Sequence, residues 1–148
     1  METEISQIRS KKVQHFWDHS QIFLAAYLAG PIGGCYFLGR NYMQSGQPAY
    51  ARLCYAAGLL GLMGILTILA FIPTYALEHI PKSIIPISYS AIIAGFAYGY
   101  QKNLIEEQVK EGNKRFSYWW CLLIILSLLI VQIPLIFLYT IFLSSISS

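Results

Sequence analysis

Charge is what this sequence lacks most. Asp, Glu, Lys and Arg make up 11% of its 148 residues, against roughly a quarter in an average soluble domain. Four long apolar runs hold no charged residue at all: 22–38, 53–77, 84–100 and 119–143. About 20 consecutive apolar residues suffice for a helix to cross a bilayer. The composition, with its mean hydropathy of +0.53, therefore predicts an integral membrane protein.

The missing charges also argue against several functions. Proton relays and ion pathways usually depend on ionisable groups inside the membrane, and the four runs contain no Asp, Glu, Lys or Arg. The net charge of +3 is small, and the basic residues lie beside the apolar runs, so we expect no nucleic-acid partner. No constellation of nucleophile, base and metal ligands is visible. We therefore predict a non-enzymatic protein with no catalytic residue, no cofactor and no metal.

Cysteine is scarce and is not arranged for chemistry. Cys35, Cys54 and Cys121 form no Cys-x-x-Cys motif, and each lies in or beside an apolar run. Such thiols usually behave as small hydrophobic side chains. We expect buried thiols rather than a disulfide or a metal site.

The first 20 residues are polar and are too long a polar stretch for a signal peptide. They are predicted to form an amphipathic helix on the cytoplasmic side, with Phe16 and Trp17 facing lipid and basic residues meeting head groups. An alternative comes from His15 and His19, because two imidazoles four residues apart on a helix can share a metal. No third ligand lies nearby, so the amphipathic helix is favoured.

Three of the apolar runs predict membrane-spanning helices. Their expected extents are 48–77, 84–111 with an extension beyond the membrane, and 118–144. Short connections make the first two of these spans antiparallel neighbours. A single domain over 1–148 accounts for the whole chain.

The first run is interrupted near its middle, within 21–42. Pro31 removes a backbone donor, and the glycines at 30, 33 and 34 permit positive φ. The residues before the break, 22–29, reach about 12 Å into the membrane as a helix. The break and the short helix before it predict a re-entrant hairpin. A kinked span is the alternative, because spanning helices also tolerate proline and glycine.

The distribution of Lys and Arg favours the hairpin. If all four runs spanned, four of the ten basic residues would lie on one side and six on the other. If the first run turns back, nine lie on one side and Lys82 stands alone on the other. The positive-inside rule expects a strong bias. The N-terminus is therefore predicted to be cytoplasmic.

Small residues mark two candidate packing faces. Small residues spaced four apart let helix backbones approach closely in lipid. These faces pack either against other helices of the same chain or against a second copy of it. Together with the residues of the break in the first run, they make up the candidate sites. These sites are Gly30, Pro31, Gly34, Gly58, Gly61, Gly64, Ala91, Gly95 and Gly99.

One amide lies inside the fourth run. Gln132 stands two residues before Pro134. A mid-membrane amide is costly unless it is hydrogen-bonded. We expect it to bond a neighbouring helix or the backbone that Pro134 frees, with a place along a polar path as the alternative.

Two segments resemble a group of small, uncharacterised bacterial integral membrane proteins. The first is "GPIGG" with the later Asn41 and Gly46, and the second is "YQKNLIEEQVKEGNKRFSYWW". The chain departs from the group's pattern at Asn113, where a second glycine is common, and at Gln108, where a histidine is common. The matching residues are Gly30, Pro31, Gly34, Asn41, Gly46, Gly112, Arg115, Ser117 and Trp119. The resemblance implies a small helical protein of the bacterial inner membrane and implies no mechanism.

Together these features predict an all-α membrane bundle of three transmembrane helices plus the broken fourth segment. The expected function is that of a scaffold or accessory subunit, which packs with copies of itself or within a larger complex in the lipid bilayer. The alternative is a small oligomeric channel or transporter whose path is lined by residues 30–34.

Overall fold

Helices make up nearly all of the chain in the computed structural model, which describes residues 13–146. Two two-residue strands and a π-helical segment accompany them. In chain order the elements are β1 (His15–Phe16), α1 (His19–Gln44), α2 (Pro48–Phe71), α3 (Thr74–His79), α4 (Ile84–Phe96), the π segment (Ala97–Gln101), α5 (Lys102–Lys110), β2 (Lys114–Arg115) and α6 (Tyr118–Ile146). The protein is an all-α membrane bundle, as its composition predicts.

Three helices are long and apolar enough to cross a membrane by length and composition, namely His19–Gln44, Pro48–Phe71 and Tyr118–Ser145. The first of them, α1, does not run straight and is discussed next. α4 continues without a break through the π segment into α5. Its uncharged part, 84–100, is about 25 Å long as a helix, enough to span. Because α1 turns back on itself, as shown next, the transmembrane helices are α2, α4 and α6.

The middle of α1 reverses the direction of the chain. Ala29 (φ −107°, ψ 18°) and Gly30 (φ 66°, ψ −168°) leave helical geometry, and Pro31 begins the helix again. A Cβ built on Gly34 would lie 3.3 Å from the Cα of Ala26. Residues eight apart in a straight helix are about 12 Å apart. The two halves, 19–28 and 31–44, therefore lie side by side as the arms of a hairpin.

Hydrogen bonds between the two ends of the hairpin confirm the reversal. The Trp17 N–H donates to Asn41 Oδ1, and Asn41 Nδ2 donates to the Trp17 carbonyl, both at 2.8 Å. A straight helix would separate these residues by about 36 Å. The segment enters and leaves at one end of the bundle and is a re-entrant hairpin rather than a kinked span.

The turn uses the special residues in specific ways. Gly30 alone among the three predicted glycines has a positive φ, which glycine adopts at little cost. Pro31 opens the returning arm, where a helix has no N–H bond to lose. Gly33 and Gly34 are helical and serve instead for close approach, because a Cβ on Gly33 would lie 2.5 Å from the Ala25 carbonyl oxygen.

The hairpin forms the centre of the bundle, and α2, α4 and α6 all pack against it. Away from the hairpin, α2 and α6 are joined by a hydrogen bond of 2.7 Å between the Thr67 and Tyr139 hydroxyls. We call the end of the bundle where the hairpin begins and finishes the near end, and the opposite end the far end. The buried core lies toward the near end and comprises Trp17, Ile22, Ala25, Ala29, Phe37, Leu38, Ala97, Cys121 and Ile125.

The segment before α1 differs from the predicted amphipathic helix. Residues 1–12 of that prediction lie outside the described chain, but His15 and Phe16 form β1, which pairs in parallel with β2. Phe16 and Trp17 are buried, with 0% and 1% of their surface exposed, so the prediction that they face lipid is wrong. The Trp17 ring stacks on those of Phe37 and Phe116, contacts between separate elements that a local pattern does not reveal.

The boundary of α2 also differs from its prediction. The sequence predicts a span over 48–77, but the observed helix ends at Phe71, and α3 follows as a separate short helix. Ile72 adopts an extended conformation (ψ 127°), as expected for a residue that precedes a proline, here Pro73. The other two predicted spans agree with the observed helices to within two residues.

The hairpin makes a direct prediction about sidedness. In a variant without the native cysteines, single cysteines at Val13 and Ser45 should react with a membrane-impermeant maleimide from the same side. A cysteine at Ser83, at the far end, should react from the opposite side and serves as the control. Labelling of positions 13 and 45 from opposite sides would show that α1 spans.

Candidate functional site

A closed set of hydrogen bonds holds the near end together. Asn41 Nδ2 also donates to Gln101 Oε1 at 3.1 Å, and Gln101 Nε2 donates to the Leu38 carbonyl at 3.1 Å. With the two bonds between Asn41 and Trp17, these contacts form what we call the clamp. Asn41 and Gln101 are fully buried. Buried amides stabilise a fold when their groups are bonded to one another in this way.

The π segment brings Gln101 into the clamp. Ala97 and Gln101 are both buried, although the residues between them are exposed. A π turn shifts the direction in which the following side chains point, and such turns recur at functional positions. α4 can therefore pack Ala97 in the core and still deliver the Gln101 amide to the hairpin.

Aromatic rings surround the clamp. The Trp17 ring stacks between those of Phe37, at 4.2 Å, and Phe116, at 3.9 Å. The Phe116 carbonyl accepts a hydrogen bond of 2.8 Å from Gln21 Nε2, and the Phe116 N–H donates to the Phe16 carbonyl at 3.0 Å. The start of α6 is thereby fixed to both the strand β1 and the hairpin.

The loop between α5 and β2 reinforces the same end. Asn113 Oδ1 accepts from the Gln14 N–H at 3.0 Å, and Asn113 Nδ2 donates to Gln108 Oε1 at 2.9 Å. Gly112 precedes it with a φ of 95°. The Gln108–Asn113 bond thus links the end of α5 to the loop that leads to β2.

Charged side chains line a shallow cleft on the surface of the near end. Asp18 lies 3.1 Å from His19 Nδ1 and 3.7 Å from an Arg115 nitrogen. Lys102 Nζ donates to the Tyr98 hydroxyl at 3.0 Å, and this hydrogen bond raises the pKa of the Lys102 amine. Exposed ion pairs contribute about 0–1 kcal/mol to stability, so the cleft adds little to the fold.

The two histidines do not share a helix face. His15 belongs to β1, and its ring centroid lies 5.2 Å from that of Phe116, whereas His19 begins α1. The spacing considered for a metal site is therefore not realised. In the part of the chain that the structure describes, no three His, Cys, Asp or Glu residues are grouped to hold a metal ion.

The structure brings five of the predicted site residues together at the hairpin turn. They are Gly30, Pro31, Gly34, Gly58 and Gly61. A Cβ on Gly58 would lie 3.2 Å from the Pro31 carbonyl oxygen, and one on Gly61 would lie 3.4 Å from the Pro31 Cβ. α2 thus covers the turn through its glycines, which agrees with the need to shield irregular backbone from lipid.

The other four predicted residues lie elsewhere. No atom of the described chain outside their own helix surroundings comes within 4 Å of a Cβ built on Gly64, Gly95 or Gly99. Ala91, Gly95 and Gly99 are exposed on α4 and its π continuation. We call these three residues the outer stripe. It has no packing partner among the described residues.

Gln132 lies directly over the turn. Its Nε2 is 3.3 Å from the position of a Cβ on Gly30. Its Oε1 is buried and has no hydrogen-bond partner among the described groups. The expectation that a neighbouring helix or freed backbone satisfies this oxygen is therefore wrong.

Two cavities adjoin the hairpin. The turn cavity, of about 240 Å³, lies between the turn, α2 and α6 and includes Gln132 and Tyr89 in its lining. An apolar groove of about 640 Å³ runs between α2 and α4, with the returning arm as its floor. Cys35 and Cys54 line this groove, and both are free thiols, as is Cys121.

No protein-family model, curated protein or solved structure matches the chain. The resemblance to small bacterial membrane proteins therefore stays a prediction.

The clamp is not evident from the sequence. Asn41 stands out there only through the resemblance, and no pattern in the sequence indicates a polar role for Gln101 or Trp17. The available signal was an amide just after the end of each of two apolar runs, Asn41 after 22–38 and Gln101 after 84–100. Amides at such positions are easily read as solvated helix ends.

The clamp can be tested with Asn41→Leu. This change leaves the Trp17 N–H, the Trp17 carbonyl and Gln101 Oε1 without a partner, and each orphaned buried group costs about 1–3 kcal/mol. We expect a large fall in the thermal unfolding temperature in detergent. The exposed Asn103→Leu is the matched control and should change it little. Equal unfolding temperatures for both variants would refute the structural role of Asn41.

Proposed function

We propose that the protein is a small, non-enzymatic scaffold or accessory subunit that works by packing its helices against those of another subunit. The partner is either a second copy of the chain or a member of a larger membrane complex. The observation that carries this proposal is the outer stripe, because its three small residues, spaced four apart, are exposed on α4 and its π continuation.

The stripe is informative because packing on the hairpin already accounts for the other candidate glycines except Gly64. A Cβ on Gly30, Gly33 or Gly34 at the turn, or on Gly58 or Gly61 of α2, would lie 2.5–3.4 Å from the nearest neighbouring atom, so close approach inside the chain explains these glycines. Gly95 and Gly99 have no such neighbours. In lipid, where apolar side chains gain little by meeting one another, small residues favour helix association through close backbone packing.

We further propose a location in the bacterial inner membrane with the near end, and hence the N-terminus, in the cytoplasm. The hairpin supports this orientation through the charges. Among residues 13–146, Lys82 is the single Lys or Arg at the far end. The near end carries Arg40, Arg52, Lys102, Lys110, Lys114 and Arg115. The positive-inside rule places such an end in the cytoplasm.

A small oligomeric channel or transporter is the second candidate. Broken helices at membrane depth often mark transport sites, and the turn cavity lies against such a break. The covered turn weighs against an open path, because Gly58 and Gly61 pack directly on Pro31. Solute flux through liposomes that contain the pure protein would favour this candidate over the scaffold.

The scaffold proposal predicts the effect of Gly95→Leu. The new side chain meets open space within the chain, so the protomer should fold normally, but the side chain should hold a partner helix away. We expect complexes seen by mild cross-linking and native mass spectrometry to be lost, with an unchanged unfolding temperature of the protomer.

Gly64→Leu is the matched control, since Gly64 is also a transmembrane glycine with open space around it. It should leave the complexes intact. Complexes that persist in Gly95→Leu, or the absence of any complex in the wild-type protein, would contradict the proposed function. The masses of the complexes separate a second copy from a different partner.

A further inference from the structure

The turn cavity lies at mid-depth in the membrane. Gln132 is the middle residue of α6 (Tyr118–Ile146), about 21 Å from either end of the helix. The hairpin turn reaches the same level, because its first arm is about 15 Å long. The far half of the bundle therefore contains no hairpin, and the cavity forms where the hairpin stops.

The walls and the floor of this cavity differ in character. Leu28, Leu62, Ile65 and Leu129 are among the apolar residues that line it. Tyr89 also lines it, and none of the described lining residues is charged. Gln132 supplies a primary amide, and 7% of the surface of this residue is exposed. Its Oε1 has no hydrogen-bond partner among the described residues. A primary amide carries two donor hydrogens and an acceptor oxygen. Its burial beside apolar walls is costly unless another group bonds to it.

We propose that the turn cavity binds a small apolar molecule through one uncharged group that both donates and accepts hydrogen bonds. A hydroxyl, a carboxylic acid in its neutral form and a carboxamide share this chemistry. Each complements the Gln132 amide, while the rest of the molecule contacts the Leu and Ile side chains. The group must be neutral, because a charge at this depth is expensive and the lining offers no counter-charge.

Water alone fits the cavity less well than such a molecule. Apolar cavities tend to stay dry and to accept apolar ligands, and a buried water needs two to four polar partners. A ligand with a polar head and an apolar body satisfies both the amide and the walls. Gly30 contributes by its size, since a Cβ there would meet Gln132 Nε2 at 3.3 Å.

This site does not depend on the scaffold function. Its lining comes from α1, α2 and α6 with Tyr89 of α4, and it includes none of the outer-stripe residues Ala91, Gly95 and Gly99. Loss of complexes in Gly95→Leu with unchanged ligand binding would separate the two proposals.

Photolabelling of the protein in lipid nanodiscs tests the site. The probes are a diazirine-bearing octanol and the same molecule without its hydroxyl, used at equal concentrations in the membrane. The octanol should label peptides that contain 28–31 and 129–136 about threefold to tenfold more than the alkane, the factor expected from one or two neutral hydrogen bonds. Unlabelled octanamide and octanoic acid should compete with the octanol, and octane should not.

Gln132→Leu should abolish the preference for the hydroxyl, so that both probes label equally. Gln44→Leu is the matched control, because Gln44 Oε1 is also buried without a partner but lies outside the cavity. If Gln132→Leu does not fold, Gln132→Met provides the same comparison. The proposal is overturned if neither probe labels these peptides, if both label the wild-type protein equally, or if Gln132→Leu keeps the preference.

Discussion

The architecture depends on one side chain, the amide of Asn41. It forms hydrogen bonds of 2.8 Å with both the N–H and the carbonyl of Trp17, and it donates a third hydrogen bond to Gln101 Oε1. Each of these groups is shielded from water, so no solvent competes for the bonds and each would be costly to leave unpaired. The clamp therefore holds the two ends of α1 together and obliges the helix between them to turn back inside the membrane.

A hairpin of this length accounts for the rest of the bundle. Its arms are so close that Gly33 faces Ala25 and Gly34 faces Ala26 with no room for a Cβ on either glycine, which explains why small residues line the seam. The three spanning helices pack on the hairpin, and in the far half α2 and α6 meet through Thr67 and Tyr139. The groove between α2 and α4 and the turn cavity both follow from a central element that reaches half the membrane depth.

The sequence predicted the parts of the fold that depend on local or bulk properties. Long uncharged runs identify spans, and Gly30 with Pro31 marks the reversal because no other residue pair suits that backbone so well. The burial of Phe16 and Trp17 was not predictable in this way, since their partners Phe37 and Phe116 are distant in sequence. Gln101 was missed for a related reason: a π turn, which no periodicity signals, directs it inward. Gln132 was noticed, but its lack of a partner is visible only in three dimensions.

The distance between the two ends of α1 tests the account most directly. Spin labels at Ser20 and Met43, both exposed, can be measured by pulsed electron spin resonance in lipid nanodiscs. Adjacent helix axes lie about 8–10 Å apart, so a hairpin with its label linkers should give a distance below about 25 Å. A helix that crosses the membrane would separate the labelled backbones by about 35 Å, and that result would contradict the clamp and the re-entrant hairpin.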